Sequence, residues 1–259
     1  MTPTVGKRLR LLFSTGSLTT VDAGPYSSLR GACLALAKRG HAATVVGTVA
    51  KGEAPKPEGW GDVAILPFQR LGPDSWHFAP RLGRWLRSIE PRFHVVNLQS
   101  VWLMTNVQVA HWAYQHGIPY MITAHGNFNS VALQHSIIKK MIAHRLLLRP
   151  ILDCAACIQA ANEAEYNAIR AYGIKSPVCI IPSGIEPAPA DESAAPLALS
   201  ALGGKKAILY LGRLHRIKNI EGLLHAWSLL HHDFADWRLV IAGGGPASYS
   251  RELQDLAHG

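Results

Sequence analysis

Cysteine is scarce: four in 259 residues, Cys33, Cys154, Cys157 and Cys179. That is no disulfide framework, and the CxxC of "LDCAACIQA" (Cys154 and Cys157) has no second Cys/His pair at zinc-site spacing. A thioredoxin-like motif would follow a strand and open a helix, whereas this one stands where an apolar strand begins. The thiols therefore read as buried structural side chains in a reducing cytosol. Acids are also short, 17 against 26 Lys and Arg, for a formal charge of +9. That excess favours an anionic partner such as a nucleotide, a phosphate or an acidic membrane face. No run approaches the ~18 apolar residues of a membrane span. The basic start "MTPTVGKRLRLLFST" has only Leu11–Phe13 as an apolar centre, too short for a secretory signal. A GxGxxG fingerprint, a Walker lysine and a DxD-like carboxylate cluster are all missing, which disfavours dinucleotide redox chemistry, P-loop chemistry and a bound metal.

What is present is core. Hydrophobic residues make up 48% and charged residues 17% of the chain, which excludes disorder. Short apolar runs at 8–15, 42–48, 63–68, 94–99, 119–125, 156–161 and 178–184 predict strands. Helical patterns at 27–41, 101–116, 130–149 and 162–172 lie between most of them. Continuous apolar strands separated by helices predict a parallel sheet covered on both faces. The basic and apolar segment 129–150 reads as a tertiary helix with a basic outer edge. Residues 186–204, "EPAPADESAAPLALSALGG", read as a linker. The pattern then restarts with a strand at 207–211, a helix at 219–231, a strand at 238–242 and a further helix start. The expected organisation is a Rossmann-like domain over 1–185, a linker over 186–204 and one βαβ unit within 205–259.

Candidate chemistry follows the strands, where open α/β sheets bind ligands. The loop "STGSLTTVDAGPYSSL" (14–29) is rich in small residues that admit a ligand to the backbone, and it leads into a helix N-terminus. In "ITAHGNFN", His125 ends a strand and can polarise a hydroxyl near neutral pH. Gly126 turns the chain there, and Asn127 and Asn129 offer hydrogen bonds to sugar hydroxyls. In "LYLGRLHRIKNIEGLLHAWSLL" (209–230), Arg213 presents a guanidinium fork for phosphate oxygens and Lys218 adds a point charge. Asn219 is placed to cap the next helix. Gly243 and Gly244, in "LVIAGGGPASY", would let a nucleotide approach the backbone.

Together these segments resemble the retaining glycosyltransferases of family 4, with the GT-B fold, and most closely the group 1 sugar transferases of bacterial surface-polysaccharide assembly. The family pattern "PHGMLDPWAL…KK" is matched by "AHGNFNSVALQHSIIKK", and "ATSEAE…IR..G…VIPNGI" by "QAANEAEYNAIRAYGIKSPVCIIPSGIE". Its second-domain pattern "LGRL…KN…LL.AW…L.IAG" is matched by "LGRLHRIKNIEGLLHAW" and "RLVIAG". The resemblance covers nearly the whole chain. It implies that Arg213 and Lys218 hold the diphosphate of a nucleotide-sugar donor, and that Gly24 in the first loop approaches it. It also implies that His125 acts beside the donor sugar and acceptor, with Gly126, Asn127, Asn129, Gly243 and Gly244 lining the substrate. No metal or other cofactor is implied. The expected partners are a nucleotide sugar, a glycan or lipid-linked acceptor and an anionic membrane surface, with no nucleic acid. The expected location is cytoplasmic, at the inner face of the cell membrane.

Three departures stand out: Ala23-Gly24 replaces a GG pair, Ala124 replaces Pro before His125, and Ser183 replaces Asn in the "PSG" turn. The family's glutamate pair, which contacts donor sugar and ribose, has no counterpart. The resemblance therefore implies a donor domain truncated after its first unit and a chain inactive alone. Rival readings are a non-catalytic binding remnant and, more remotely, a nucleotide-linked oxidoreductase.

Overall fold

The computed structural model describes residues 8–19, 24–55, 59–128, 148–185 and 202–258. The chain forms two compact units, Met1–Pro187 and Ala188–Gly259.

Unit 1 is a seven-stranded parallel sheet. Its strands are β1 (Arg10–Ser17), β2 (Ala42–Val49), β3 (Ala64–Gln69), β4 (Val95–Gln99), β5 (Tyr120–Thr123), β6 (Cys157–Ala160) and β7 (Val178–Ile180), in the order β3-β2-β1-β4-β5-β6-β7. The order reverses between β1 and β4, so a crevice opens beyond the carboxyl ends of these two strands. Successive strand residues point to opposite faces, and this builds two cores. Phe13 and Val45 join Leu29, Cys33 and Trp60 on the face covered by α1 (Gly24–Lys38). Leu12, Val46, Val96 and Ile122 join Leu82, Val109, Leu152 and Ile169 on the other. That second face carries α2 (Pro80–Ser88), α3 (Met104–Gln115), α4 (Arg149–Asp153) and α5 (Glu163–Ala171). The helix α2 was not foreseen from the sequence. It opens on Pro80, whose fixed φ suits a first helical position, and it buries Leu82 and Leu86.

Unit 2 pairs β8 (Lys206–Leu211) with β9 (Trp237–Ala242) in parallel, joined through α6 (Ile220–Leu230) and followed by α7 (Ala247–His258). Tyr210 and Ile241 share one sheet face and pack on Ile220, Tyr249 and Leu253. Leu209 and Leu211 point the other way and are 60% and 77% exposed. Among the described residues, the core cluster of unit 2 has three buried members, against two extensive clusters in unit 1.

Two expectations are corrected. The thiols are not uniformly buried: Cys33 is, but Cys154 is exposed, and Cys157 and Cys179 are half-buried with their sulfurs 3.3 Å apart. Burial still makes Cys33 unreactive, its pKa pushed up to about 12, and raises Cys179 to about 11 with help from the Cys157 thiol. Asn219 does precede α6, but its φ is 50° and its side chain makes no capping hydrogen bond. The side chain lies instead over Gly222, where a Cβ would fall 2.6 Å from its Nδ2. Most of the segment 129–150 lies outside the described residues; Leu148 onward is described and leads into α4. Among the described residues, no helix is long and apolar enough to cross a membrane.

Candidate active site

In unit 1 the site is built where β4, β5 and β6 end. His125 and Gly126 follow β5, both with left-handed backbone, φ 50° and 73°. Such φ values are strained for histidine and natural for glycine, so tertiary contacts must hold His125. They do. The Gly126 amide donates to Glu165 Oε1, and the Ala161 amide donates to Glu165 Oε2 at 2.6 Å. Glu165 itself is placed by Asn162, whose side chain accepts from the Glu165 amide at 2.9 Å and caps α5. An N-x-x-E pattern at a helix start was the available sequence signal for this carboxylate.

Asn127 is spent on the protein. Its Oδ1 accepts from Ser100 Oγ at 2.6 Å and from the Val101 amide at 3.1 Å, and its Nδ2 donates to the His125 carbonyl at 3.2 Å. The side chain locks the β4 and β5 loops together, leaving one amide proton for a ligand. Asn129 lies outside the described residues. Gly24 opens α1, with no atom within 4 Å of where a side chain would begin.

The imidazole of His125 lies 2.6 Å from Gln99 Oε1 through its Nε2. Burial lowers the pKa of His125, and the nearby Glu165 charge only partly offsets this. The ring is therefore neutral at physiological pH, able to accept one hydrogen bond while donating another. His77, beside the first loop, went unremarked in the sequence. Its φ is 49°, its Nδ1 lies 2.8 Å from Thr48 Oγ1, and its ring sits where a side chain at position 16 would need to be. Burial first, then Arg70, lowers its pKa as well, with Asp74 opposing. Gly16, near the end of β1, thus makes room for a protein ring. No sequence periodicity could have paired His77 with Gly16.

Unit 2 carries the phosphate-binding candidates in the loop after β8. The loop holds three strong cations, Arg213, Arg216 and Lys218, all exposed. Arg216 is matched: it forms two hydrogen bonds to Glu252 at 2.6 and 2.9 Å, approaches Glu221 at 3.4 Å and lies over the Tyr249 ring. Arg213 and Lys218 have no carboxylate partner among the described residues. Gly243 has a structural reason of its own. A Cβ there would fall 1.8 Å from the Gly212 carbonyl oxygen, and one at Gly245 would fall 2.2 Å from that of Leu214. These glycines let the two loops run backbone to backbone, with Leu214 N donating to the Gly244 carbonyl at 2.8 Å. Only Gly244 has open space at its Cβ position. Among the described residues there is no cluster of three or more His, Cys, Asp or Glu able to hold a metal ion.

Comparison with known proteins places this architecture. Residues 23–184 match the glycosyl transferase 4-like domain and residues 198–259 match the glycosyl transferases group 1 model. No curated protein sequence matches the chain. Similar solved structures include a glycosyltransferase from Rickettsia africae, 14% identical with a TM-score of 0.67, over 97% of this chain and 65% of that one. A sucrose-phosphate synthase from Thermosynechococcus elongatus is 16% identical, TM-score 0.66, over 97% and 67%. An α,α-trehalose-phosphate synthase (UDP-forming) from Burkholderia xenovorans, in complex with glucose-6-phosphate, is 14% identical, TM-score 0.63, over 97% and 70%. At such identities the likeness concerns the fold, and the chain spans about two thirds of the length of each neighbour. The chain belongs to the glycosyltransferases that join a glycosyl transferase 4-like domain to a group 1 domain, and it has their GT-B α/β architecture.

Proposed function

We propose that this chain serves the transfer of a sugar from a nucleotide-diphosphate donor to a hydroxyl of a lipid-linked glycan, with retention of configuration, in polysaccharide biosynthesis. The observation that carries this reading is the selective pairing in the β8 loop, where Arg216 is neutralised by Glu252 while Arg213 and Lys218 have no carboxylate partner among the described residues. As the bond from sugar to phosphate breaks, negative charge collects on the departing diphosphate. Fixed cations at that point stabilise the transition state more than the ground state. His125, held neutral, orients a hydroxyl of donor or acceptor, and Gly126 keeps the strand-end turn that presents it. Retention and the surface-polysaccharide role rest on the family resemblance. A retaining transfer of this kind needs no protein nucleophile, and no metal or further cofactor enters the proposal. The charge of +9 suits work at the anionic inner face of the cell membrane.

Deleting the gene tests the reading. Lipid-linked glycan one sugar short should accumulate, and a gene carrying Arg213→Ala should fail to restore it. A glycan profile unchanged by deletion would overturn the assignment.

A further inference from the structure

Along the carboxyl edge of the unit 1 sheet, polar side chains from β4, β5 and β6 stand in an otherwise apolar row. Gln99 is opposite Thr123 in register, and Thr123 is opposite Gln159. Asn97, Gln99 and Thr123 are buried. Their hydrogen bonds form a chain whose direction can be worked out from one end. The Ile181 carbonyl, just beyond β7, can only accept, so the Gln159 amide nitrogen donates to it at 2.9 Å. That turns Gln159 Oε1 toward Thr123, whose single hydroxyl proton goes there at 3.1 Å. The Thr123 oxygen then accepts from Asn97 Nδ2 at 3.3 Å. The alternative, Thr123 donating to Asn97 Oδ1, is longer at 3.4 Å and would leave Gln159 Oε1 without its donor. Asn97 Oδ1 consequently accepts from Gln99 Nε2, and Gln99 presents its Oε1 to His125 Nε2 at 2.6 Å. An amide oxygen has no proton to give, so His125 must donate from Nε2.

We infer that this relay, anchored at the Ile181 carbonyl, makes Gln99 a positioning residue that locks His125 in the Nε2–H tautomer and leaves its Nδ1 lone pair for the ligand. Partners of this kind set which ring nitrogen carries the proton. The group that meets Nδ1 must then be a hydrogen-bond donor. A sugar hydroxyl qualifies, while a phosphate oxygen or an ether oxygen does not. The same site would disfavour a deoxy or O-methyl sugar at that position, because a half-buried lone pair would lose its donor. This consequence for substrate choice rests on the sugar-transfer reading; the tautomer does not.

The test is long-range nitrogen–proton NMR on the histidine-labelled full chain at pH 7.5, with the His125 signals identified by their loss in His125→Asn. The wild-type ring should show its proton on Nε2. Gln99→Met, which keeps length but removes the acceptor, should populate both tautomers, and Gln99→Glu, which restores an acceptor although it cannot donate to Asn97, should again hold a proton on Nε2, in the neutral or the doubly protonated ring. A wild-type ring protonated on Nδ1 overturns the inference, and so does a folded Gln99→Met protein with an unchanged tautomer. Neither result bears on whether the chain transfers sugar, so the two readings can fail separately.

Discussion

Arg213→Ala should weaken binding of nucleoside diphosphates about tenfold to thirtyfold, while Arg216→Ala changes it by less than about threefold. Arg213 is an exposed guanidinium with no carboxylate partner among the described residues, so its hydrogen-bonding fork is available. Charge-assisted hydrogen bonds of this type contribute ~1.5–3 kcal/mol each, and solvent exposure argues for the lower part of that range. Arg216 already spends its guanidinium on Glu252 and Glu221, so removing it breaks a solvent-screened ion pair rather than a phosphate contact. Equilibrium titration of the two variants separates the roles. Equal losses from both would mean that the loop acts through its summed charge, and no loss from Arg213→Ala would remove it from the site.

Glu165→Gln should lower the stability of unit 1 by on the order of 3 kcal/mol, even though it replaces one oxygen by nitrogen. Each carboxylate oxygen accepts a backbone amide, from Gly126 and from Ala161. Glu165 is 5% exposed, so water cannot replace a lost partner. A carboxamide can satisfy only one of the two amides, and it points its own N–H at the other. The cost is one charge-assisted bond plus a buried pair of opposed donors. For a unit of this size the melting temperature should fall roughly 6–12 °C. The damage should reach the site, because the Gly126 tether helps hold His125 in its left-handed turn. Thermal unfolding followed by circular dichroism checks this, and an unchanged melting temperature would mean that the carboxylate is not the tether described.

Much of the architecture was legible because it depends on local pattern. Apolar runs such as "HVVNLQ" and "ACIQAA" are strands because a parallel sheet buries both faces, and both lie within two residues of where they were expected. The strand-end position of His125 followed from the same pattern. What escaped depends on contacts distant in sequence. Gln99 and Gln159 were polar residues inside apolar runs, and that was the visible signal. Their purpose emerges only when β4, β5 and β6 fall into register. His77 is separated from Gly16 by two strands and a helix. Asn219 has the right residue type for a cap but the wrong backbone conformation, which composition does not encode. Arg213 and Lys218 were singled out by side-chain type and loop position, neither of which separates them from Arg216. The Glu252 carboxylate that pairs with Arg216, 36 residues along the chain, is visible only in the fold.

The most direct measurement of the central claim is calorimetric titration of the wild-type chain with matched nucleoside diphosphates and monophosphates at low and high salt. If the β8 loop grips a diphosphate through two unmatched cations, the diphosphate should bind at least about tenfold more tightly than its monophosphate. High salt should weaken that preference, because exposed charges are screened. Equal affinity for the two, or a diphosphate preference that survives in an Arg213→Ala, Lys218→Ala double variant, would contradict the account.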